Sequence, residues 1–104
     1  MTVVTVYALF ADADEAQRIG RTLVEERLAA CVNLLGPCTS IYWWDGAVQQ
    51  SAEVPALMKT TLAQVDALIA RITALHGYEV PAISVWPVDR LPESFARWVE
   101  TEVR

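Results

Sequence analysis

Cysteine is scarce in this sequence of 104 residues, which contains only Cys31 and Cys38. Six residues lie between them, so they form no CxxC pair, and neither a zinc knuckle nor a thioredoxin-type redox motif is indicated. We therefore expect two reduced thiols rather than a structural disulfide.

Basic residues are also few. Eight lysines and arginines stand against 13 aspartates and glutamates, which gives a formal net charge of −5, and the eight are dispersed along the chain. Binding to a phosphate backbone requires clustered lysine and arginine side chains that release counterions. We therefore expect no nucleic-acid partner.

Long apolar runs are missing as well. No segment approaches the ~20 consecutive apolar residues that a membrane-spanning helix requires. The segment from Met1 to Phe10 has neither a basic leader nor a small-residue cleavage site. We expect a cytoplasmic protein with no membrane partner.

The motifs of the common catalytic classes are absent too. The sequence contains no G-x-S-x-G, no phosphate-binding loop, no nucleophilic cysteine beside a histidine and no acid pair at a defined spacing. An enzymatic function and an organic cofactor are therefore not predicted.

Apolar residues, in contrast, are abundant. They make up 54% of the chain, and the mean hydropathy is +0.28. A chain of this length forms one domain, residues 1–104, and has little interior in which to bury so much apolar surface. An oligomer would cover the excess.

The first third of the chain predicts a strand followed by a helix. Thr2 to Phe10 carries apolar or β-branched residues on both faces, which is typical of a central strand. Asp12, with Glu15 three residues later, indicates a capping box. The helical spacing that follows predicts a helix to about Ala29.

The middle of the chain predicts a long hairpin. Ala30 to Trp44 reads as a strand that Gly36-Pro37 bends or bulges. Asp45-Gly46 favours a type I′ turn, in which both central residues have positive φ. Ala47 to Lys59 is then the partner strand.

The last part predicts a second helix, a fourth strand and a terminal helix. Thr61 and Gln64 have capping-box spacing, and Gly77 ends the apolar stripe that follows. Val80 to Val88 is strand-like, and Pro92 suits the first turn of a helix. The order is βαββαβ plus a helix, which predicts an α+β, ferredoxin-like antiparallel sheet covered by helices.

Four segments carry a family resemblance. They are Leu28–Asn33, Ser40–Gly46, Glu53–Thr60 and His76–Pro81, and the similarity extends to Trp98. In this order and spacing they resemble the CutA divalent-cation tolerance proteins. The resemblance implies a ferredoxin-like protomer, a tight homotrimer built by edge-strand pairing, a cytoplasmic location and association with copper and other divalent metals.

Three positions depart from the expected pattern. Family members commonly carry a cysteine where Phe10 stands, so a thiolate ligand is missing there. The family's H-P-Y-E is H-G-Y-E here, so Gly77 replaces a proline of fixed φ. Pro55 cannot donate a ladder hydrogen bond, which predicts an edge or a bulge in its strand.

The candidate metal ligands are His76, Glu79 and Glu53. An imidazole and carboxylates suit Cu(II), Ni(II) or Zn(II), and without a thiolate we expect weak binding. His76 is the only histidine, and it would equally suit a capping role at the end of a helix. Glu53 and Lys59 lie six residues apart, so they either line one pocket or form a solvated pair.

The aromatic run Tyr42-Trp43-Trp44 also admits two interpretations. Aromatic side chains enrich well-packed subunit interfaces, and they also stack on planar ligands. We favour the interface. A functional alternative to metal tolerance is a signalling or adaptor trimer that senses a small anionic ligand at its subunit clefts, by analogy of fold alone.

Overall fold

The computed structural model describes residues 2–104 as a five-stranded antiparallel sheet with three helices. The strand order is β2-β4-β1-β5, and β3 pairs with the far part of β4. The predicted ferredoxin-like order with an added helix is confirmed. The elements are β1 (Val3–Phe10), α1 (Ala13–Glu25), β2 (Cys31–Leu34), β3 (Cys38–Trp44), β4 (Ala47–Thr61), α2 (Val65–Leu75), β5 (Ile83–Pro87) and α3 (Glu93–Glu102).

The main core lies between the sheet and the first two helices. β1 pairs with β4 on one side and with β5 on the other, so it is the central strand that the sequence predicted. Burying one large aliphatic side chain contributes about 1.5–3 kcal/mol. The largest buried contributors to this core are Val4, Val6, Phe10, Ile19, Leu23, Met58, Leu68 and Ile72.

The first helix ends earlier than predicted. Asp12 caps it by accepting a 2.8 Å hydrogen bond from the Glu15 N–H, but it ends at Glu25 and not near Ala29. Arg27 has φ 65°, and the N–H groups of Arg27 and Leu28 bond back to the carbonyls of Val24 and Leu23. This Schellman arrangement ends the helix with arginine at the position where glycine is usual. The sequence therefore has no glycine there to indicate the end of the helix.

The predicted capping box at Thr61 is wrong. Thr61 pairs with Val3 in the sheet, so β4 continues through it. Gln64 is the N-cap residue of α2, and its side chain makes no capping bond. The fourth predicted strand is also shorter than expected, covering Ile83–Pro87 instead of residues 80–88.

The bend at Gly36-Pro37 separates the predicted long strand into β2 and β3. At this break the Leu35 N–H donates to the Pro55 carbonyl. The N–H and C=O of a residue in an antiparallel strand point to the same neighbour. The N–H that Pro55 lacks would therefore face the break in pairing between β2 and β3, which agrees with the prediction of an edge or a bulge at this residue.

Residues 38–53, which comprise all of β3 and the first part of β4, form a hairpin arm. Asp45 and Gly46 have φ values of 51° and 77°, which confirms the predicted turn with two positive φ angles. Every residue from 41 to 50 is exposed. The molecule measures 45 × 25 × 23 Å, and it is elongated because the arm projects from the rest of the domain.

The second face of the sheet is only partly covered. The helix α3 packs there against Val3 and Ala30 through Ala96 and Val99. Further along, Trp86 stacks on Tyr7 with ring centroids 5.2 Å apart and stays 47% exposed. No helix in the described part of the chain is long and apolar enough to cross a membrane.

Candidate functional site

A cleft of about 840 Å³ lies between the hairpin arm and the segment that follows α2. Its wall on the arm side carries three aromatic residues, Tyr42, Trp43 and Trp44. The remaining lining residues are Leu9, Ser40, Ile41, Glu53, Gly77, Tyr78, Glu79, Val80 and Ala82. The cleft is therefore mostly apolar, with polar groups from both the arm and the segment after α2.

Glu53 is the most buried polar residue of the cleft. It lies on β4 opposite Cys38 and is 6% exposed. The Tyr78 hydroxyl donates a 2.9 Å hydrogen bond to its Oε2. Within residues 2–104, no other side-chain hydrogen bond to the Glu53 carboxylate is present, so Oε1 is free to accept a ligand.

Tyr78 responds strongly to this environment. Burial of the phenol and, after it, the hydrogen bond to Glu53 raise the pKa of Tyr78 to about 12. Both effects disfavour a phenolate, because an ionised oxygen would be poorly solvated and would lie beside a carboxylate. Tyr78 therefore acts as a donor that holds one oxygen of Glu53 in place.

The charges around the cleft have one sign. Glu53 and Glu79 contribute carboxylates, and no lysine, arginine or histidine belongs to the described lining. A cleft with low-dielectric walls strengthens the field of its charges and concentrates ions of the opposite sign. The electrostatics therefore favour a cation over an anion.

His76 faces away from this cleft. It is the C-cap residue of α2, and its Nε2 lies 2.8 Å from the Leu9 carbonyl oxygen, which can only accept. The Tyr78 N–H donates to its Nδ1 at 3.0 Å, and the ring stacks on Phe10. The ring is therefore the neutral Nε2–H tautomer with both nitrogens engaged, and ligating a metal would require breaking one of these bonds.

Glu15 is a second buried carboxylate, which the sequence identified only as part of a capping box. It accepts hydrogen bonds from the Ala11 N–H at 3.0 Å and from the Gly77 N–H at 2.9 Å. A Cβ atom on Gly77 would lie 2.9 Å from Oε2 of Glu15. Glu15 thus connects the start of α1 to the segment that lines the cleft. A proline at position 77 would have no N–H to donate to it.

The three predicted metal ligands do not converge in one protomer. Glu53 and Glu79 both line the cleft, but His76 bonds to Leu9 behind it. Among the residues that the structure describes, no group of three or more His, Cys, Asp or Glu side chains could hold a metal ion. Metal ligation by this set stays a prediction, and any complete site needs ligands from elsewhere.

Lys59 does not share a pocket with Glu53. It pairs with Thr5 and Cys31, near the other end of the sheet, whereas Glu53 pairs with Cys38. Six residues of strand span roughly 20 Å. The prediction that Glu53 and Lys59 line one pocket within a protomer is therefore wrong. The alternative, that they form a cross-strand pair, is also wrong.

Comparison with known proteins identifies the family. Residues 4–102 match the family model described as CutA1 divalent ion tolerance protein. The divalent-cation tolerance protein CutA of Pyrococcus horikoshii is 37% identical over 102 residues, covering 98% of this chain and 99% of that protein. The chloroplastic protein CutA 1 of Oryza sativa is 32% identical over 97% of this chain and 57% of its own length.

A solved structure agrees with these relatives. The periplasmic divalent cation tolerance protein CutA from Archaeoglobus fulgidus superposes with a TM-score of 0.94 at 30% identity, covering 98% of this chain and 99% of that one. The family model covers nearly the whole chain, and sequence and fold agree. The chain therefore belongs to the CutA1 family of divalent ion tolerance proteins.

Proposed function

We propose that this chain acts as a homotrimer that binds divalent cations, copper among them, and that it works as a tolerance protein rather than as an enzyme. The observation that carries the proposal is the buried Glu53 carboxylate, which has one free oxygen in a cleft without basic side chains. Carboxylate oxygens accept divalent ions. The names of the relatives fit this chemistry.

Binding in this cleft should be weak. Glu53 and Glu79 supply oxygen ligands, but one oxygen of Glu53 is already held by Tyr78. Copper(II) binds most tightly among the divalent first-row metals at a given nitrogen and oxygen site, so it is the first metal to test, followed by Zn(II) and Ni(II). We propose that a neighbouring subunit, or His76 after breaking its bond to Leu9, completes the ligand set.

The hairpin arm supports the proposed trimer. Ile41, Trp43 and Val48 are 68%, 74% and 58% exposed, which is unfavourable for a free protomer in water. Unpaired strand edges and exposed apolar arms are normally covered by another chain. Closed cyclic assembly of three copies would cover the arm without leaving a free end.

The alternative of a sensor for a small anion is less well supported. An anion entering the cleft would meet Glu53 and Glu79 and no basic side chain of the described lining. We therefore retain the metal proposal. We also propose a cytoplasmic location. The A. fulgidus relative is described as periplasmic, so cell fractionation is the experiment that distinguishes the two locations.

Calorimetric titration with Cu(II) tests the metal proposal. We expect weak, saturable binding to the parent, a loss of about tenfold or more in affinity in Glu53→Gln, and no change in Glu100→Gln, whose side chain is exposed and does not line the cleft. Equal affinity in Glu53→Gln and the parent would refute a site at Glu53.

The pH dependence of the same titration shows whether His76 takes part. Free imidazole protonates near pH 6.5 and free glutamate near pH 4.3, and a protonated group no longer ligates. Affinity that falls more steeply on acidification in the parent than in His76→Ala would assign a ligand role to His76. Affinity that persists to about pH 5 in both proteins would assign binding to carboxylates alone.

A further inference from the structure

The segment that follows α2 is held at both ends by one residue of β1. Nε2 of His76 lies 2.8 Å from the Leu9 carbonyl oxygen, and the Leu9 N–H donates a 3.2 Å hydrogen bond to the Ala82 carbonyl. The N–H and C=O of a strand residue point to the same side, so Leu9 reaches both ends of residues 76–82. Tyr78 lies between these two anchor points.

The backbone of this segment is held by side chains. Residues 76–82 form neither a helix nor a strand. The Gly77 N–H donates to Oε2 of Glu15 at 2.9 Å, and the Tyr78 N–H donates to Nδ1 of His76 at 3.0 Å. Because two successive N–H groups bond to side chains, the position of Tyr78 depends on those side chains.

The imidazole of His76 is fixed inside the protomer. Its side chain has no solvent-accessible surface, and the ring stacks on Phe10 with ring centroids 5.1 Å apart. The Leu9 carbonyl only accepts, so Nε2 carries the proton and Nδ1 offers its lone pair to the Tyr78 N–H. The backbone of β1 therefore determines the tautomer that holds Tyr78.

The same contacts oppose metal ligation by this ring. A metal needs the lone pair of a ring nitrogen, and in this tautomer only Nδ1 has one, which already accepts from Tyr78. Ligation through Nε2 would move the proton to Nδ1, opposite the N–H that Nδ1 now accepts. Either route would release Tyr78, whose hydroxyl holds the carboxylate of Glu53.

We propose that His76 is a positioning residue and not a metal ligand: its imidazole fixes Tyr78 relative to β1, and Tyr78 in turn orients the Glu53 carboxylate. For metal binding, this role rests on the proposed function, and it leaves the neighbouring subunit as the source of the remaining ligands. His76 and Phe10 are buried within the protomer, so their contacts do not require an uncovered cleft in the assembly.

Two amide variants separate the two nitrogens of the ring. In His76→Asn the amide oxygen takes the place of Nδ1 and accepts from the Tyr78 N–H. In His76→Gln the longer side chain brings its amide to the place of Nε2, where it donates to the Leu9 carbonyl and leaves the Tyr78 N–H without its acceptor. Both variants lack the imidazole, so a ligand role predicts equal losses of Cu(II) affinity and a positioning role predicts unequal ones.

Calorimetry and hydrogen exchange on the intact assembly measure the difference. We expect His76→Asn to bind Cu(II) within about threefold of the parent and His76→Gln about tenfold more weakly, because losing a contact that orients a ligand costs about 10–100-fold. Without metal, the Tyr78 N–H should be protected in the parent and in His76→Asn, and should exchange about tenfold faster or more in His76→Gln. Light scattering and thermal unfolding verify that each variant is assembled and folded.

A double-mutant cycle tests whether the effect passes through Tyr78. Tyr78→Phe removes the hydroxyl that holds Glu53 and keeps the backbone N–H. If His76 acts through this residue, adding His76→Gln to Tyr78→Phe should weaken Cu(II) binding by less than about twofold. Additive losses would mean that His76 contacts the metal independently of Tyr78, which would overturn the proposal.

Equal Cu(II) affinities of His76→Asn and His76→Gln, or equal protection of the Tyr78 N–H in both, would also overturn it. A parent protein that binds no Cu(II) would refute the proposed metal function, whereas the exchange measurement would still decide whether His76 holds Tyr78. Nitrogen NMR of the parent needs no variant and reports the tautomer directly. We expect the proton on Nε2, and a proton on Nδ1 would contradict the proposal.

Discussion

The hydrogen bond between Tyr78 and Glu53 joins segments 25 residues apart along the chain. One residue comes from the middle of β4 and the other from the segment after α2. The bond makes the carboxylate of the cleft depend on the position of that segment. At the scale of single residues, the site is therefore built by a small number of buried polar contacts.

Tyr78 should make stability depend on alkaline pH. An unperturbed tyrosine ionises near pH 10, as it would in the unfolded chain, whereas the folded pKa is about 12. Because the folded pKa is the higher one, the stabilisation is complete below pH 10 and is lost as pH rises from 10 to 12. Spectrophotometric titration of the three tyrosines should show one phenol that ionises about two pH units late.

In Tyr78→Phe this late phenol should disappear, and the loss of stability between pH 10 and 12 should diminish. If all three phenols of the parent ionise together near pH 10, the hydrogen bond and the burial assigned to Tyr78 are incorrect.

Glu15 should be important for stability although it lies outside the cleft. It uses different oxygens to accept from Ala11 and Gly77, and a glutamine has only one such acceptor. Hydrogen bonds to charged groups contribute about 1.5–3 kcal/mol each. We expect Glu15→Gln to lower the free energy of unfolding by about 2 kcal/mol in urea titrations.

The same substitution at Glu100 is the control, because that side chain is exposed and makes no side-chain hydrogen bond in the described structure. Equal stability of the two variants would show that the connection from Glu15 to Gly77 contributes nothing.

At the scale of elements, the sequence predicted what depends on local patterns. The strand β1, the cap at Asp12 and the turn at Asp45-Gly46 follow from alternation, spacing and turn chemistry within a few residues. The end of α1 was missed because Arg27 adopts a conformation that normally indicates glycine. Thr61 was misassigned because pairing with Val3, 58 positions away, overrides a local capping signal.

The turn of the arm offers a prediction at this scale. Gly46 has φ 77°, and an L-residue in such a conformation costs roughly 1–2 kcal/mol, more for a β-branched side chain. Gly46→Val should therefore lower the melting temperature and weaken assembly by shifting the hairpin register. Gly36→Val is the matched control, because Gly36 has no positive φ and no atom within 4 Å of its added Cβ.

Thermal unfolding measures the melting temperatures of both variants, and light scattering measures their assembly. A Gly46→Val protein as stable and as fully assembled as Gly36→Val would mean that the turn does not determine the register of the arm.

At the scale of the whole molecule, the cleft could be predicted only in part. The motif around His76 indicated a functional segment that includes Glu79, and Glu53 was identified from its own motif; both side chains line the cleft. The orientation of His76 could not be predicted, because its ring bonds to Leu9, 67 residues earlier, and stacks on Phe10. Tyr78 was part of the same motif, but only the packed structure shows that it reaches Glu53.

The proposed trimer is the central claim, since it would explain the exposed arm and would supply the neighbouring chain that the proposed metal site needs. Trp43 at 74% exposure and Ile41 at 68% have no covering partner in the described protomer. Burying their apolar surface contributes roughly 25 cal/mol per Å² before the costs of association are subtracted. A free protomer should therefore be a minor species at micromolar concentration.

Multi-angle light scattering coupled to size-exclusion chromatography tests this claim most directly. At micromolar concentration and neutral pH we expect one species of three times the 11.5 kDa protomer mass. Trp43→Ser on the arm should shift the population towards smaller species, whereas Trp98→Ser on α3, outside the arm, should not. A parent protein that elutes with the mass of a single chain under these conditions would contradict the account.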